Sequence, residues 1–142
     1  MHIAEVKLGM AETSSALQAE WVRLRAIILK AIPCLGGTHD EADLIAGCLS
    51  GQFTLWTAAD AFVLATVQEF PRLKRLHIFL ANGNPQQVNR LMVMASAWSK
   101  AKGVSEITCT LRPAVERHNE RHPEERISSG WKKTGATYVK EI

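Results

Sequence analysis

The sequence has little of what marks disulfide-rich, metal-binding or membrane proteins. Its three cysteines are odd in number and far apart, which excludes a disulfide framework and a cysteine-based zinc motif and favours a reducing compartment. No apolar run approaches the length of a membrane span, and the N-terminus lacks the apolar core of a secretory leader. His118 and His122 share a spacing suited to a metal, but Pro123 follows at once and no third ligand is evident. We therefore expect a cytoplasmic protein without a metal or a membrane partner.

The excess of basic over acidic residues is also small. Seventeen lysines and arginines face fourteen acidic residues, which gives a formal net charge of +3. A dedicated nucleic-acid binder is more strongly basic, and glutamates interleave with the basic residues of the C-terminal third, a pattern typical of a salt-bridged surface. We expect no nucleic-acid partner. The hydrophobic fraction of 46% is that of an ordinary globular protein, and the length predicts one domain over residues 1–142.

The first fifty residues predict a strand and two helices. Residues His2–Leu8 alternate between apolar and polar side chains, as in a half-buried strand. A helix with apolar residues every 3.6 positions runs to about Ala31, where the following Ile32-Pro33 ends it. Thr38 and Glu41 have the spacing of a capping box for a second, short helix. The inward-facing residues are expected to be Leu17, Trp21, Leu24, Ile28 and Ile32 in the first helix, and Leu44, Ile45, Cys48 and Leu49 in the second.

The second part of the chain predicts mostly strands, interrupted by one long helix. That helix spans Asn84–Lys102, with Asn84 as its N-cap, Pro85 at its first position, Gln87 completing a capping box and Gly103 ending it. The predicted strands are Phe53–Thr57, Ala61–Glu69, Arg75–Ala81, Glu106–Leu111 and Thr137–Glu141. The fold class is therefore α/β (α+β), with a mixed, mostly antiparallel sheet of about six strands and flanking helices.

This order of elements resembles the GNAT (GCN5-related N-acetyltransferase) fold over nearly the whole chain. Local fragments narrow the resemblance to small GNAT-like proteins encoded by tailed bacteriophages and prophages. The fragments are a strand entry at Gly51–Trp56, a strand end at Phe70-Pro71, a central strand at Leu76–Gly83, a helix end at Trp98–Gly103 and a corner at Gly130-Trp131. The resemblance implies an acyl-CoA-dependent N-acyltransferase that uses acetyl-CoA and acts in the cytoplasm of the host or in a virion.

The resemblance also implies where acetyl-CoA binds. In that fold two central parallel strands part and leave a cleft, here between Leu76–Ala81 and Glu106–Leu111. The pyrophosphate then lies at the turn into the long helix, where free amides and the helix dipole favour an anion. The residues implied in binding the donor are Phe79, Leu80, Ala81, Gly83, Asn84, Gln86, Gln87 and Trp131.

Two side chains are candidates for the base that takes a proton from the acceptor amine. His77 lies in the predicted central strand, and an imidazole titrates near neutral pH. Glu69 lies at the end of the preceding strand. Each also has a purely structural interpretation, as a packed histidine and as a solvated carboxylate at a strand end. The acceptor itself is not identified by any motif.

Departures from the family pattern support a second hypothesis. Leu80 stands where the family has arginine or glutamine, and Pro85 supplies no amide to a phosphate. The family's acid is a tyrosine on the penultimate helix, whereas the single tyrosine here, Tyr138, falls in the last predicted strand. The alternative function is a non-catalytic GNAT-fold phage protein that acts in virion structure, in assembly or in binding a host protein. The sequence leaves the partner and the oligomeric state open.

Overall fold

Seven strands and three α-helices make up the described part of this computed structural model, which comprises residues 9–10, 14–110, 132–134 and 137–141. The strands are β1 (Gly9–Met10), β2 (Thr54–Thr57), β3 (Ala61–Glu69), β4 (Lys74–Gly83), β5 (Glu106–Thr110), β6 (Lys132–Thr134) and β7 (Thr137–Glu141). The helices are α1 (Ser14–Ala31), α2 (Glu41–Ser50) and α3 (Pro85–Lys100), and a 3-10 turn at Ile32–Leu35 follows α1.

The strands form one mixed sheet in the order β1-β2-β3-β4-β5-β7-β6. All neighbouring strands pair antiparallel except β4 and β5, which run parallel. The α+β class with a mixed sheet is confirmed, but the sheet has seven described strands where about six were expected. Two described strands were not predicted, β1 and β6, and the sequence of β6, Lys-Lys-Thr, has no alternation of apolar and polar residues that would reveal it.

Several predictions fall on residues that the structure does not describe. They are the strand at His2–Leu8, the charged segment Arg112–Arg126 and the corner at Gly130-Trp131. The described N-terminal strand is limited to Gly9–Met10, which pairs with β2 at the edge of the sheet.

Each face of the sheet buries its own apolar cluster. Under α3, the buried residues include Val63, Leu76, Ile78, Val88, Leu91 and Ile107. Under α1 and α2, they include Leu17, Leu24, Ile28, Leu44, Leu64 and Leu80. The prediction that β4 is a central strand is confirmed, and because it contributes to both clusters, it is covered on both faces.

The start of α2 corrects the predicted capping box. The N-cap is Asp40, whose Oδ1 accepts a hydrogen bond from the Asp43 amide at 2.9 Å, while Asp43 Oδ2 accepts one from the Asp40 amide at 3.0 Å. The Thr38–Glu41 box is wrong because Glu41 is engaged elsewhere: its carboxylate accepts two hydrogen bonds from Arg25 of α1. Two pairs of residues have the right spacing for a cap, and the contact with α1 decides between them.

Gly83, at the end of β4, packs closely against the turn between β2 and β3. Its φ of 115° favours glycine, and a Cβ there would overlap the Asp60 carbonyl oxygen and approach the Ala61 Cα to 2.6 Å. The next residue, Asn84, donates its amide to the same Asp60 oxygen at 2.9 Å. The glycine is therefore required by the packing of this turn, independently of any ligand.

Replacing Gly83 with alanine should destabilise the protein strongly. We expect a loss of about 3 kcal/mol in the free energy of unfolding, because the new Cβ combines an unfavourable φ with an overlap against rigid backbone. Gly51→Ala is the matched control, since Gly51 has φ 84° but a Cβ added to it would meet no atom within 4 Å. Its cost should be about 1 kcal/mol. Equal losses for the two variants in urea unfolding would contradict this account of Gly83.

Candidate functional site

The parallel strands β4 and β5 have four described pairs. They run from Arg75 with Glu106 to Ile78 with Cys109, one residue before the described part of β5 ends. Strand β4 continues to Gly83 along β3, but no described strand pairs with its other edge beyond Ile78. Crevices of this kind, beyond the carboxyl ends of parallel strands, are where open sheets bind ligands.

A β-bulge at Phe79 lies just after the last described pair of β4 with β5. On the neighbouring strand, Leu64 pairs with Leu80 and Ala65 pairs with Ile78, so Phe79 is an extra residue in β4. A bulge bends its strand and increases the local twist. It also places both Phe79 and Leu80 against the α1 side of the sheet, where they pack in the same cluster.

His77 lies in β4 just before this bulge. It pairs with Thr108 of β5, and its Nδ1 is 2.9 Å from the Thr108 Oγ1 in a hydrogen bond whose direction depends on the imidazole tautomer. The His77 side chain is half-buried, whereas Thr108 is buried. When Nδ1 carries the proton and donates to Thr108, Nε2 keeps its lone pair.

The surroundings of His77 favour its neutral form. Burial lowers the pKa of this imidazole from its ordinary value of 6.5, and the positive charge of Arg75 lowers it further. Arg75 is itself held by Glu106, with 2.6 Å between Nε and the carboxylate oxygen. At neutral pH the imidazole therefore has an unprotonated nitrogen, as a general base requires.

An aromatic cluster surrounds the bulge. The ring of Phe79 stacks on that of Phe53 at 5.0 Å between centroids, and His39 meets Phe79 edge-on at 4.9 Å. Gly47 makes this arrangement possible, because a Cβ there would overlap the Phe53 ring. Sequence reasoning missed Phe53 and His39 as neighbours of Phe79, since they lie more than twenty residues away along the chain and no periodicity connects them.

The structure does not bring Glu69 to His77. Glu69 pairs with Lys74 at the opposite end of β4, and its carboxylate lies 3.5 Å from the Lys74 Nζ. Its side chain is 72% exposed. Lys74 precedes His77 by three residues, which is roughly 10 Å along a strand. Of the two candidate bases, only His77 lies beside the last described pair of β4 with β5.

The N-terminus of α3 has few free amides. Asn84 is the N-cap and Pro85 follows it, as predicted, so the Gln87 amide donates to Asn84 Oδ1 at 3.1 Å and Pro85 has no amide. The Asn84 amide donates to Asp60 O. The predicted capping box is wrong at Gln87, whose Oε1 instead accepts the Asp60 amide at 2.7 Å. Among the amides of Asn84, Gln86 and Gln87, only that of Gln86 has no hydrogen bond to another described residue.

The other residues implied in donor binding have mixed positions. Leu80 and Ala81 are buried in the clusters on opposite faces of the sheet, so they offer a ligand their backbone and not their side chains. Gly83 packs against the Asp60 backbone, with no room there for a side chain. Trp131 lies outside the described residues.

A second concave surface lies between α1 and α2. This groove has a volume of about 450 Å³ and is mostly apolar. Its lining residues are Ser14, Leu17, Gln18, Trp21, Val22, Arg25, Glu41, Ile45 and Leu49. Val22 is 70% exposed and Leu49 is 61% exposed. The expectation that Leu49 faces inward is therefore wrong, because the buried side of α2 is formed by Leu44 and Gly47 and leaves Leu49 on the rim.

Within the described parts of the chain, no helix has the length and apolar character needed to cross a membrane. In the same parts, no three histidine, cysteine or acidic side chains are grouped as metal ligands.

Comparison with known proteins finds solved structures of similar fold but does not assign the chain to a family. No protein-family model matches the chain, and no curated protein matches it. The crystal structure of a mutant of TTHA1254 from Thermus thermophilus matches with a TM-score of 0.58 and 14% identity, covering 82% of this chain and 85% of that one. Wild-type TTHA1254 matches with a TM-score of 0.53 and 16% identity, covering 76% and 82%. At such identities the likeness establishes a similar fold and does not extend to activity.

The position of His77 predicts a pKa below 6.5, measurable from the imidazole signals in an NMR titration. Arg75→Gln should raise that pKa, because it removes a positive charge that disfavours the imidazolium. Arg72→Gln, in the exposed turn before β4, should leave it unchanged. A His77 pKa at or above 6.5 in the wild-type protein would show that the imidazole is not desolvated.

Protonation of His77 should also link stability to pH. Because burial lowers its pKa in the folded state, the unfolded chain binds the proton more readily. The stability that His77 contributes is therefore complete above about pH 6.5 and falls as the pH drops below the unfolded-state value. We expect His77→Gln to flatten this decline in urea unfolding series between about pH 5 and pH 7. An identical slope in the variant would argue against a buried neutral imidazole.

Proposed function

We propose that this chain is a GNAT-type N-acyltransferase that transfers an acetyl group from acetyl-CoA to an amine in the crevice where β4 and β5 part. The observation that supports this most is the position of His77, a half-buried imidazole with a lowered pKa at the start of the crevice. The similar fold of TTHA1254 is compatible with the proposal but adds nothing about chemistry.

The reaction assigns a role to each part of this site. The neutral amine nitrogen attacks the thioester carbonyl carbon, the C–N bond forms, and the C–S bond breaks. The nitrogen loses its proton to Nε2 of His77, and the sulfur leaves and is protonated as the free thiol. Backbone amides of β4 beyond Ile78 polarise the carbonyl oxygen as charge develops on it. When His77 Nδ1 donates to Thr108 Oγ1, Nε2 is unprotonated and can take the proton.

A non-catalytic GNAT-fold phage protein remains the second candidate. The groove between α1 and α2 supports it, since Val22 and Leu49 expose apolar surface that a protein partner would cover. The filled amides at the N-terminus of α3 support it as well. In this alternative His77 serves only to pack the sheet.

The test is acetyl transfer from acetyl-CoA to a panel of alkylamines, arylamines and lysine peptides, with the acetylated product detected by mass spectrometry. Loss of a general base typically costs about 10²- to 10⁴-fold in rate, so His77→Ala should lower kcat by that order while the KM for the donor changes little. His77→Gln, which preserves the hydrogen bond to Thr108, should be as inactive as His77→Ala.

Glu69→Ala is the matched control, because it removes a candidate carboxylate that lies away from the crevice. It should keep wild-type kcat. Full activity in His77→Ala would remove His77 from the mechanism. Acetylation of no amine above the protein-free rate would overturn the enzyme proposal and favour the second candidate.

A further inference from the structure

We infer that His39 is a second base of this site, which takes the first proton from an acceptor that arrives as an alkylammonium ion. The inference rests on the proposed function and names the class of acceptor, a primary aliphatic amine. Such an amine is protonated at neutral pH, since its pKa is near that of a lysine side chain, about 10.4. Its nitrogen therefore has no lone pair and must lose one proton before it can attack a thioester.

The reaction of an alkylammonium ion requires two proton acceptors. The nitrogen loses one proton to become nucleophilic and a second as the C–N bond forms. In the proposed reaction His77 takes the second proton, and an imidazole that has already taken the first cannot take another. The first proton passes from the ammonium nitrogen to Nε2 of His39. The resulting imidazolium returns it to water, because the side chain of His39 is only half-buried.

The hydrogen bonds of Thr38 fix the tautomer of His39. The Thr38 hydroxyl donates its only proton to the Leu35 carbonyl oxygen, at 2.9 Å. The same Oγ1 lies 2.8 Å from His39 Nδ1, so in that bond it can only accept, and Nδ1 must carry the proton. In the neutral imidazole the other nitrogen, Nε2, is then unprotonated. This geometry makes Nε2 the basic atom of His39.

The ring of Phe79 connects His39 to His77. His39 meets this ring edge-on at 4.9 Å between centroids, and His77 meets it edge-on at 6.5 Å. A substrate packed against Phe79 therefore lies beside both imidazoles. The ring also suits the charge of the substrate, since an aromatic face attracts an ammonium ion within about 6 Å of its centroid.

Negative charge lies next to His39. The following residue, Asp40, is the exposed N-cap of α2, and reciprocal cap hydrogen bonds join it to Asp43. Two carboxylates at the start of this helix attract a cation and repel an anion. The charge therefore favours an alkylammonium acceptor over an acidic one.

The experiment compares a primary alkylamine with an arylamine, which is uncharged at neutral pH and does not need the first deprotonation. The variant His39→Phe keeps a ring against Phe79 and removes both nitrogens. At neutral pH it should lower kcat/KM for the alkylamine about a hundredfold and change that for the arylamine by less than about threefold. His77→Ala should lower both values, because both acceptors lose a proton as the C–N bond forms. Equal losses for the two acceptors in His39→Phe, or no loss, would overturn the inference.

The pH dependence separates a lost base from a damaged structure. Below the pKa of an alkylamine, its uncharged fraction rises about tenfold per pH unit. Because His39→Phe can use only the amine that is already neutral, its defect with the alkylamine should shrink by about that factor per unit between about pH 7 and pH 9. A constant defect over this range would contradict the role of His39. Wild-type activity with arylamines alone would also overturn the inference, whereas acetylation of no amine would overturn the proposed function itself.

The tautomer of His39 can be measured without turnover. Long-range proton–nitrogen NMR spectra distinguish a protonated ring nitrogen from an unprotonated one, and the neutral wild-type His39 should show an unprotonated Nε2. Thr38→Ser keeps the hydroxyl and should preserve this pattern. Thr38→Val removes the hydroxyl, so it should shift the ring toward the opposite tautomer and lower kcat/KM for the alkylamine alone. A wild-type His39 with its proton on Nε2 would overturn the inference.

Discussion

The candidate site depends on the bulge at Phe79, which lies just after the last described pair of β4 with β5, that of Ile78 with Cys109. The bulge adds one residue to β4 against β3, and a bulge bends its strand. The ring of Phe79 packs against Phe53 and His39. Just before the bulge, half-buried His77 is hydrogen-bonded to Thr108 of β5.

The contact between Asp60 and the start of α3 occupies backbone atoms that a bound phosphate would also need. Gly83 permits this contact, and Asn84 and Gln87 complete it with two hydrogen bonds to the Asp60 backbone. The contact holds the β2–β3 turn against the start of α3. It also uses donors that a phosphate would need, because a backbone amide cannot serve both partners at full strength.

Local patterns in the sequence predicted the elements well. The four apolar residues of α1 from Leu17 to Ile28 are buried as their spacing predicts, and Asn84 and Pro85 begin α3 in the expected roles. What the sequence concealed depends on distant contacts. Three features depend on residues more than ten positions apart along the chain. They are the contact of Glu41 with Arg25, which leaves the α2 cap to Asp40, the bulge at Phe79, and the hydrogen bond of Gln87 to Asp60. No local periodicity encodes such pairings.

The measurement that tests the central claim most directly is the mapping of amide chemical-shift changes in the isotope-labelled protein as acetyl-pantetheine is added. If the donor binds in the proposed β4–β5 crevice, the largest changes will occur at Phe79, Leu80 and Ala81, and the imidazole of His77 will shift with them. Val22 and Leu49, in the groove between α1 and α2, will be unaffected. Changes confined to that groove, or none at millimolar concentration, would contradict the assignment of the β4–β5 crevice as the donor site.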